Sequence, residues 1–310
     1  MSGRQIPPGR AARRRGPLSR AAVALLAVAA GLALLAAAAA WDAARIPLGR
    51  LETRAPFPTA LMRAREAEAR RLGAPSGIDF RFVPYDRISA LLRRAVLVAE
   101  DDAFFQHGGL DWNEIGASAR RDLERRSFVR GGSTITQQLA RNLYLGEERT
   151  LTRKLKEIVL ALRIERAVSK RRILELYLNL IEWGDGVYGA EAAAQHYFGT
   201  TADALSARQA LLLASVIINP RRFSPLEPPP RIERRVRTIA GRMLRRGQLS
   251  EAEYRLAVGE PAPALEAGGG PAEPESAGAE TPLGTEEADT DTAGVAAPGD
   301  SVRQAPAPPE

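Results

Sequence analysis

The sequence of 310 residues contains no cysteine and only two histidines, His107 and His196. Without cysteine there is no disulfide framework and no thiolate metal site, so an oxidising compartment is allowed but not indicated. Two histidines are too few for a convincing histidine-based metal centre. The sequence therefore predicts no metal ligand set of its own.

Acidic residues outnumber basic ones only in the C-terminal tail. From Glu260 onward the chain holds eleven acidic residues and one basic residue, Arg303. The part before Glu260 therefore has a net charge of +17, ten more than the +7 of the whole chain. Such a surface favours an anionic partner: nucleic acid, acidic lipid or a phosphorylated substrate. Residues 259–310 also have almost no large apolar side chain, which predicts a disordered acidic tail rich in Pro, Ala and Gly.

The first segment of the chain contains no acidic residue, and the segment that follows it contains no charged residue at all. Residues 1–20 hold six arginines, and the next twenty residues are uncharged and followed by Trp41. Twenty helical residues, rising about 1.5 Å each, cover a hydrocarbon core of about 30 Å. The pattern predicts a cytoplasmic basic segment over 1–20, a transmembrane anchor over 21–41 and an exported remainder. A signal peptide cleaved after residues 38–40 is the alternative. An exported domain meets no genomic DNA, which excludes most nucleic-acid partners.

Strand signals are weak and short, whereas helical periodicity dominates, so the predicted fold class is mainly α. We predict a connecting segment over 42–87, with an extended piece at 79–83, and one large domain over 88–258. The predicted helices cover residues 59–71, 88–101, 112–126, 134–143, 150–168, 170–180, 188–197, 206–218, 231–246 and 250–258.

The first candidate site lies at the end of an apolar helical stripe. Glu100 is preceded at helical spacing by Val96, Leu92 and Ile88. Its carboxyl is therefore expected on the inward side of an amphipathic helix. Partial burial and the negative end of the helix dipole would both raise the pKa of Glu100 toward the range of a general acid or base. The alternative is that Glu100 and Asp101 are solvated acids at a helix end.

The second candidate site is a Gly-Gly turn before a helix. Gly131 and Gly132 let the backbone approach a ligand closely, and Thr134 with Gln137 forms a capping box. Free N–H groups at such a helix N-terminus can bind an anion. An ordinary loop-to-helix junction is the alternative. The segment lacks the GxxxxGK[ST] order of a P-loop, so nucleotide binding is not supported.

The third candidate site is a row of cations on one helix. Arg149, Arg153 and Glu157 recur every four residues, with Lys154 beside them. Base before acid is the poorer order for helix stability, so the row suits a diphosphate better than it suits the helix. Surface ion pairs, each worth about 0.3–0.5 kcal/mol, are the alternative. Three other polar residues fit structural roles: Glu175 as a hydrogen-bond acceptor, His107 in a turn and Asn179 at a helix end.

Four motifs follow one another along the chain. They are EDxxFxxHxG (Glu100–Gly109), GGSTITQQ (Gly131–Gln138), RKxxE (Arg153–Glu157) and RILExYLN (Arg172–Asn179). Together they resemble the peptidoglycan glycosyltransferases of bacterial cell-wall synthesis. The segment Gly184–Gly199 is most similar to the monofunctional biosynthetic transglycosylases of Gram-negative bacteria. One departure is Arg141, where many relatives have lysine.

The resemblance implies a lysozyme-like, two-lobed glycosyltransferase domain over residues 88–258. It implies an enzyme that transfers the growing lipid-linked glycan chain onto lipid II with inversion, releasing undecaprenyl diphosphate. Bifunctional relatives carry a penicillin-binding domain with a Ser-x-x-Lys nucleophile, and no Ser-x-x-Lys occurs in this sequence. The resemblance therefore implies polymerisation of glycan strands without transpeptidase activity.

The resemblance also implies roles for individual residues. Glu100 is expected to be the catalytic base, and Glu157 a second catalytic residue that orients the cations or assists the leaving group. Leu110, Trp112, Phe128 and Val129 are expected at a membrane-facing lip, or else in the core. The residues expected to bind substrate are Asp101, Phe104, His107, Gly131, Gly132, Ser133, Thr134, Gln137, Gln138, Arg141, Asn142, Arg149, Arg153 and Lys154.

The expected partners are lipid II, lipid-linked glycan and membrane lipid, with cell-division or elongation proteins left open and no nucleic acid. No cofactor is expected to be required, although a divalent cation (Mg²⁺ or Mn²⁺) at the diphosphate is compatible with the chemistry. The expected location is the bacterial inner membrane, with a single span and a periplasmic catalytic domain. Two rival functions are a glycan-cleaving muramidase of similar fold and an inactive membrane scaffold.

Overall fold

The computed structural model describes residues 20–75, 77–125, 132–146 and 150–259. Helices dominate this part of the chain, which confirms the predicted mainly α class. The helices are α1 (Arg20–Ala44), α2 (Ala60–Leu72), α3 (Ala90–Glu100), α4 (Trp112–Arg125), α5 (Ile135–Ala140), α6 (Leu151–Ala167), α7 (Lys170–Leu180), α8 (Ala190–Phe198), α9 (Ala207–Val216), α10 (Pro230–Arg245) and α11 (Glu251–Val258), with a 3₁₀ turn at Tyr85–Arg87 and a π-helix at Arg141–Leu145.

Several predictions fall outside the described residues. They concern the basic N-terminal segment, the acidic tail and four single residues: Phe128, Val129, Gly131 and Arg149.

Helix α1 corresponds to the predicted membrane anchor. The stretch Ala22–Ala44 is long and apolar enough to cross a membrane, and almost none of it is buried against the rest of the protein. Trp41 is largely exposed near its end, as expected for an aromatic side chain at a membrane interface. The Arg45 guanidinium lies 5.0 Å from the centre of the Trp41 ring.

The C-terminal end of α1 is attached to α6. Asp42 forms an ion pair of 2.7 Å with Lys156 Nζ. The Arg163 guanidinium donates hydrogen bonds to the carbonyl oxygens of Ala43 and Ile46. Hydrogen bonds from a charged donor are stronger than neutral ones, so α6 is held firmly against the C-terminal end of α1.

Replacing Arg163 with Gln should loosen this attachment. Two charge-assisted hydrogen bonds are lost, and we expect the free energy of unfolding to fall by about 1.5–3 kcal/mol. Thermal unfolding of the detergent-solubilised chain measures the change. Arg166→Gln is the control, because Arg166 is exposed near the end of the same helix. Equal unfolding midpoints for the two variants would show that the attachment adds no stability.

Helix α9 is at the centre of the core. A capping box between Ser206 and Gln209 begins the helix, and most of its side chains are buried. It packs against α3, α10 and α11, and α10 also packs against α3. Helix α3 is thus held between α9 and α10, with Leu92 and Val96 inward, and its last residue is Glu100.

A small sheet replaces part of the predicted helical pattern. β1 (Asp79–Phe80) pairs in parallel with β3 (Val187–Tyr188), which pairs antiparallel with β2 (Glu182–Gly184). The predicted extended piece at 79–83 is therefore a shorter strand, and the helix predicted at 188–197 begins only at Ala190. Gly189 has φ +89°, and a Cβ there would lie 2.6 Å from the Asn179 carbonyl oxygen, so the chain turns before the helix begins.

Two further predictions are corrected. Asn179 does not end its helix, because α7 continues to Leu180. Its buried amide instead accepts a hydrogen bond from Val83 N and donates one to Val83 O, each 2.9 Å long. The helix predicted at 134–143 divides into α5 and the π-helix. The structural role of Glu175 is confirmed, since its Oε1 accepts a 2.6 Å hydrogen bond from Tyr85 N.

Candidate active site

Glu100 points toward the interior from the last turn of α3. Leu92 and Val96, on the same side of the helix, are fully buried, and the Glu100 side chain is only 13% exposed. Its Oε1 accepts a hydrogen bond of 2.7 Å from Arg235 Nη2. Its Oε2 accepts one of 3.0 Å from Gln138 Nε2. Both carboxyl oxygens are therefore fixed in direction.

Burial raises the pKa of the Glu100 carboxyl above its ordinary value, because removal from water disfavours the charged form. The Arg235 guanidinium opposes this shift most strongly, followed by the hydrogen bond from Gln138 and the charge of Arg141. The net direction is upward, as expected from the sequence. A carboxyl perturbed in this way is suited to proton transfer nearer neutral pH.

Asp101 connects the end of α3 with the beginning of α5. Its Oδ2 accepts a hydrogen bond of 2.9 Å from Ile135 N, and its Oδ1 lies 2.8 Å from His107 Nε2. His107 Nδ1 accepts from Gly109 N at 3.2 Å, so in neutral His107 the proton is on Nε2, which donates to Asp101. His107 thus holds a turn, as predicted. The expected role of Asp101 and His107 in binding substrate stays a prediction.

Among the residues expected to bind substrate, Phe104, Thr134 and Gln137 are buried and make contacts within the protein. Phe104 is fully buried with Lys170 Nζ 4.2 Å from its ring centre. Thr134 and Gln137 close the capping box of α5 on each other, and Thr134 Oγ1 also donates to Gly109 O at 2.7 Å. These three side chains thus contact other parts of the protein, and their expected role in binding substrate stays a prediction.

Gly109 lies where α6 approaches the His107 turn. Its φ is +94°, and a Cβ there would lie 2.9 Å from Glu165 Cγ and 3.2 Å from the Ala161 carbonyl oxygen. Strain and crowding should together make Gly109→Ala destabilising by about 1–3 kcal/mol or more. Gly199→Ala separates the two causes, because Gly199 has φ +61° with open space around it. Chemical denaturation measures the free energy of unfolding of both variants. An equal loss in the two would show that crowding at Gly109 adds nothing to the effect of backbone strain.

The candidate cation row forms a charge cluster around a buried carboxylate, Glu157. Glu157 is only 1% exposed, and its two carboxyl oxygens accept hydrogen bonds from Arg153 Nη1 and Lys154 Nζ. Lys154 Nζ also donates to Ser133 Oγ at 3.2 Å. Lys154 remains 39% exposed on its side chain, whereas Arg153 is 16% exposed. Glu157 thus holds two cations in fixed positions, with Lys154 open to a ligand.

The short helix α5 and the turn before it join the two halves of the site. Ser133, two residues before α5, contacts Lys154, and Gln138 within α5 contacts Glu100. Gly132, with φ +83°, precedes Ser133. The Gln138 amide oxygen accepts a hydrogen bond of 3.0 Å from the Tyr177 hydroxyl, which fixes the orientation of the amide.

The remaining predicted residues differ in exposure. Arg141 is half-buried and its charge acts on Glu100, whereas the neighbouring Asn142 is buried. Leu110 is buried, which agrees with the core position given as the alternative to a lip. Trp112 is 71% exposed and remains a candidate for a lip at the membrane.

Arg235 is the site residue that the sequence did not reveal. It lies on α10, where Ile232, Val236 and Ile239 form the buried stripe. Arginines are frequent along this helix, and the period of the stripe places Arg235 only at its border. Nothing in that pattern distinguishes Arg235 from its neighbours, because its partner Glu100 is distant in sequence.

A family model described as Transglycosylase matches residues 68–244, which is more than half of the chain. The chain belongs to the transglycosylase family. The matched range contains both halves of the site, from Glu100 to Arg235. The predicted family and the predicted glycosyltransferase class are thereby confirmed.

Curated transglycosylases match this chain over more than half of its length. The biosynthetic peptidoglycan transglycosylase of Nitrosomonas eutropha is 45% identical over 188 residues, which is 61% of this chain and 77% of that protein. The protein of the same name from Alcanivorax borkumensis is 52% identical over 159 residues, which is 51% of this chain and 65% of that protein. Penicillin-Binding Protein 1A from Haemophilus influenzae shares 37% identity over 31% of this chain and 15% of its own, with a TM-score of 0.27, an overlap too small for comparing folds.

Proposed function

We propose that this transglycosylase polymerises peptidoglycan glycan strands, with lipid II as acceptor and a lipid-linked glycan as donor. One observation carries the proposal. A buried carboxyl, Glu100, and a cation pair, Arg153 and Lys154, are held around the same short segment of backbone within the family domain. This arrangement suits a reaction that removes a proton at one place and expels a diphosphate at another.

Glu100 acts as the general base in the proposed reaction. The 4-hydroxyl of lipid II attacks the anomeric carbon of the growing chain, and its proton passes to a Glu100 carboxyl oxygen. The new glycosidic bond forms as the bond from the anomeric carbon to the diphosphate oxygen breaks, with inversion in a single displacement. Burial suits the carboxyl to this task, because it raises the affinity of Glu100 for a proton.

Arg153 and Lys154 stabilise the charge that develops on the departing diphosphate. Glu157 fixes both cations before substrate arrives, so little reorganisation is needed during the reaction. Arg141 adds positive charge near Glu100. Among the described residues no group of three or more His, Asp or Glu side chains is arranged to hold a metal ion. Both Glu157 oxygens accept hydrogen bonds from cations, and a divalent cation at the diphosphate stays a prediction.

The proposed location is the inner membrane, with the catalytic domain in the periplasm. Two features support it: α1 is suited to span a membrane, and six arginines precede the span. The end of α1 is attached to α6, the helix of Arg153 and Lys154, so the cation pair lies on a helix tied to the end of the span. A lipid-linked diphosphate is a fitting partner for such a site.

Labelled lipid II tests the function. The full chain in detergent should convert it into glycan polymer, separated by size on a gel. Purified glycan strands, offered in a parallel reaction, should not be shortened. Shortened strands without polymer would indicate a muramidase, and no change in either substrate would indicate a scaffold. Glu100→Gln, purified in the same way, controls for a contaminating enzyme.

A further inference from the structure

Arg235 is bonded to the end of helix α3 at two points. Its Nη2 donates 2.7 Å to Glu100 Oε1 and 3.2 Å to the Ala99 carbonyl oxygen. The Arg235 side chain is 28% exposed, so the ion pair is largely shielded from water. One nitrogen therefore fixes the carboxyl relative to the backbone that carries it.

Every element packed around Glu100 contributes a different kind of group. Helix α5 contributes the neutral amide of Gln138, and α7 contributes the Tyr177 hydroxyl behind that amide. The π-helix contributes the charge of Arg141, which acts on Glu100 more weakly than Arg235 does. The neighbouring acid, Asp101, is engaged by His107 and Ile135 N. In the described part of the chain, Arg235 is the cation that bonds directly to the Glu100 carboxyl.

Burial and base catalysis favour opposite protonation states of Glu100, and the ion pair with Arg235 favours the state that catalysis needs. Burial alone favours the neutral acid, and a protonated carboxyl cannot accept the proton of an attacking hydroxyl. An adjacent opposite charge favours the ionised form and lowers the pKa of a carboxyl by about 1–3 units. Glu100 therefore needs a partner that keeps its carboxyl ionised but leaves it basic enough to accept a proton.

We propose that Arg235 is a positioning residue that keeps Glu100 ionised and directed for proton abstraction. This inference rests on the proposed function, because the task assigned to Glu100 is that of the polymerisation base. Arg235 touches the base and acts through it, and no contact with substrate is needed.

The test compares Arg235→Gln with Arg234→Gln. Arg234 is an exposed arginine on the same helix, so its variant removes an equal charge from α10 without touching Glu100. The dependence of kcat/KM on pH is measured with labelled lipid II. In Arg235→Gln the acid limb, where activity falls as Glu100 becomes protonated, should move upward by about 1–3 pH units. Activity should recover at high pH, and Arg234→Gln should keep the wild-type limb.

Arg235→Lys is the second variant. It retains the positive charge, so its acid limb should stay within about one pH unit of the wild-type limb even if turnover falls. If Arg235→Gln fails to fold, Arg235→Lys still tests the inference. An acid limb of Arg235→Lys that lies about 2–3 pH units above the wild-type limb would overturn it. A uniform loss of activity at every pH in Arg235→Gln would mean that Arg235 only supports the structure.

A readout without turnover separates this inference from the proposed function. The chain is prepared with ¹³C-labelled glutamate carboxyl groups, and the signal missing in Glu100→Gln identifies Glu100. Titration by NMR without substrate should show Glu100 protonating at higher pH in Arg235→Gln than in wild type. An unchanged titration overturns the inference. Absence of polymer from the wild-type chain overturns the proposed function, whatever the titration shows.

Discussion

Replacing Glu100 with Gln should lower the rate of glycan polymerisation by about two to four orders of magnitude. Glutamine has the shape of glutamate but no carboxylate, so it cannot take the proton of the attacking hydroxyl. Its amide oxygen can still accept the hydrogen bond from Arg235, and the surrounding apolar residues remain. We therefore expect the variant to fold and to bind lipid II with little change, while turnover falls.

Asp102, two residues after Glu100, provides the matched control for Glu100. Asp102 is half-exposed and forms an ion pair with Arg246. Asp102→Asn should leave the rate close to wild type, because surface ion pairs add little and this one lies outside the site. Initial rates with labelled lipid II measure both variants. A Glu100→Gln enzyme that retains near wild-type turnover would remove Glu100 from the role of base.

Losing either cation held by Glu157 should reduce kcat by about 10²–10³-fold. Arg153→Gln and Lys154→Gln each remove one positive charge at the place where the diphosphate is expelled. The loss should appear in kcat more than in KM, because the charge on the leaving group grows during the reaction. Glu157 keeps its bond to the other cation in each variant, so the site stays partly assembled.

Arg166→Gln is the control for these two variants. Arg166 is exposed near the C-terminal end of α6, so it shares the helix but not the charge cluster. Its kcat should match the wild type. Unchanged kcat in both Arg153→Gln and Lys154→Gln would contradict the assignment of the pair to the diphosphate.

Local patterns were sufficient to predict the inward direction of Glu100. The apolar residues one to three turns before it, such as Leu92 and Val96, specify which side of α3 is buried. The same reasoning placed Arg153, Lys154 and Glu157 on a different face of α6 from the buried apolar stripe. It did not show that Glu157 would be buried, because a helical period cannot reveal what covers the opposite face.

Motifs alone did not separate buried side chains from exposed ones. Phe104, Thr134 and Gln137 belong to the motifs that resemble the family, yet their side chains are buried and occupied by the protein. A motif match does not show which side chains are exposed to a ligand. Only the packing of the chain distinguishes these buried side chains from the more exposed Lys154.

Long-range contacts were beyond prediction from the sequence. Arg235 reaches Glu100 because α10 packs against α3, and no local pattern specifies that arrangement. Asn179 was expected to end a helix, but its buried amide bonds to the backbone of Val83. The short strands at 182–188 were missed because tight turns at glycine and two-residue pairings leave little periodic signal.

The pH dependence of polymerisation tests the central claim most directly. The claim is that a carboxyl with raised proton affinity, Glu100, must be ionised for catalysis. A base with a raised pKa is active above that pKa and loses activity as the pH falls through it. The acid limb of kcat/KM with labelled lipid II should therefore have its midpoint clearly above about 4.3, the ordinary value for glutamate. A midpoint at or below that value, in an enzyme that stays folded, would contradict the account.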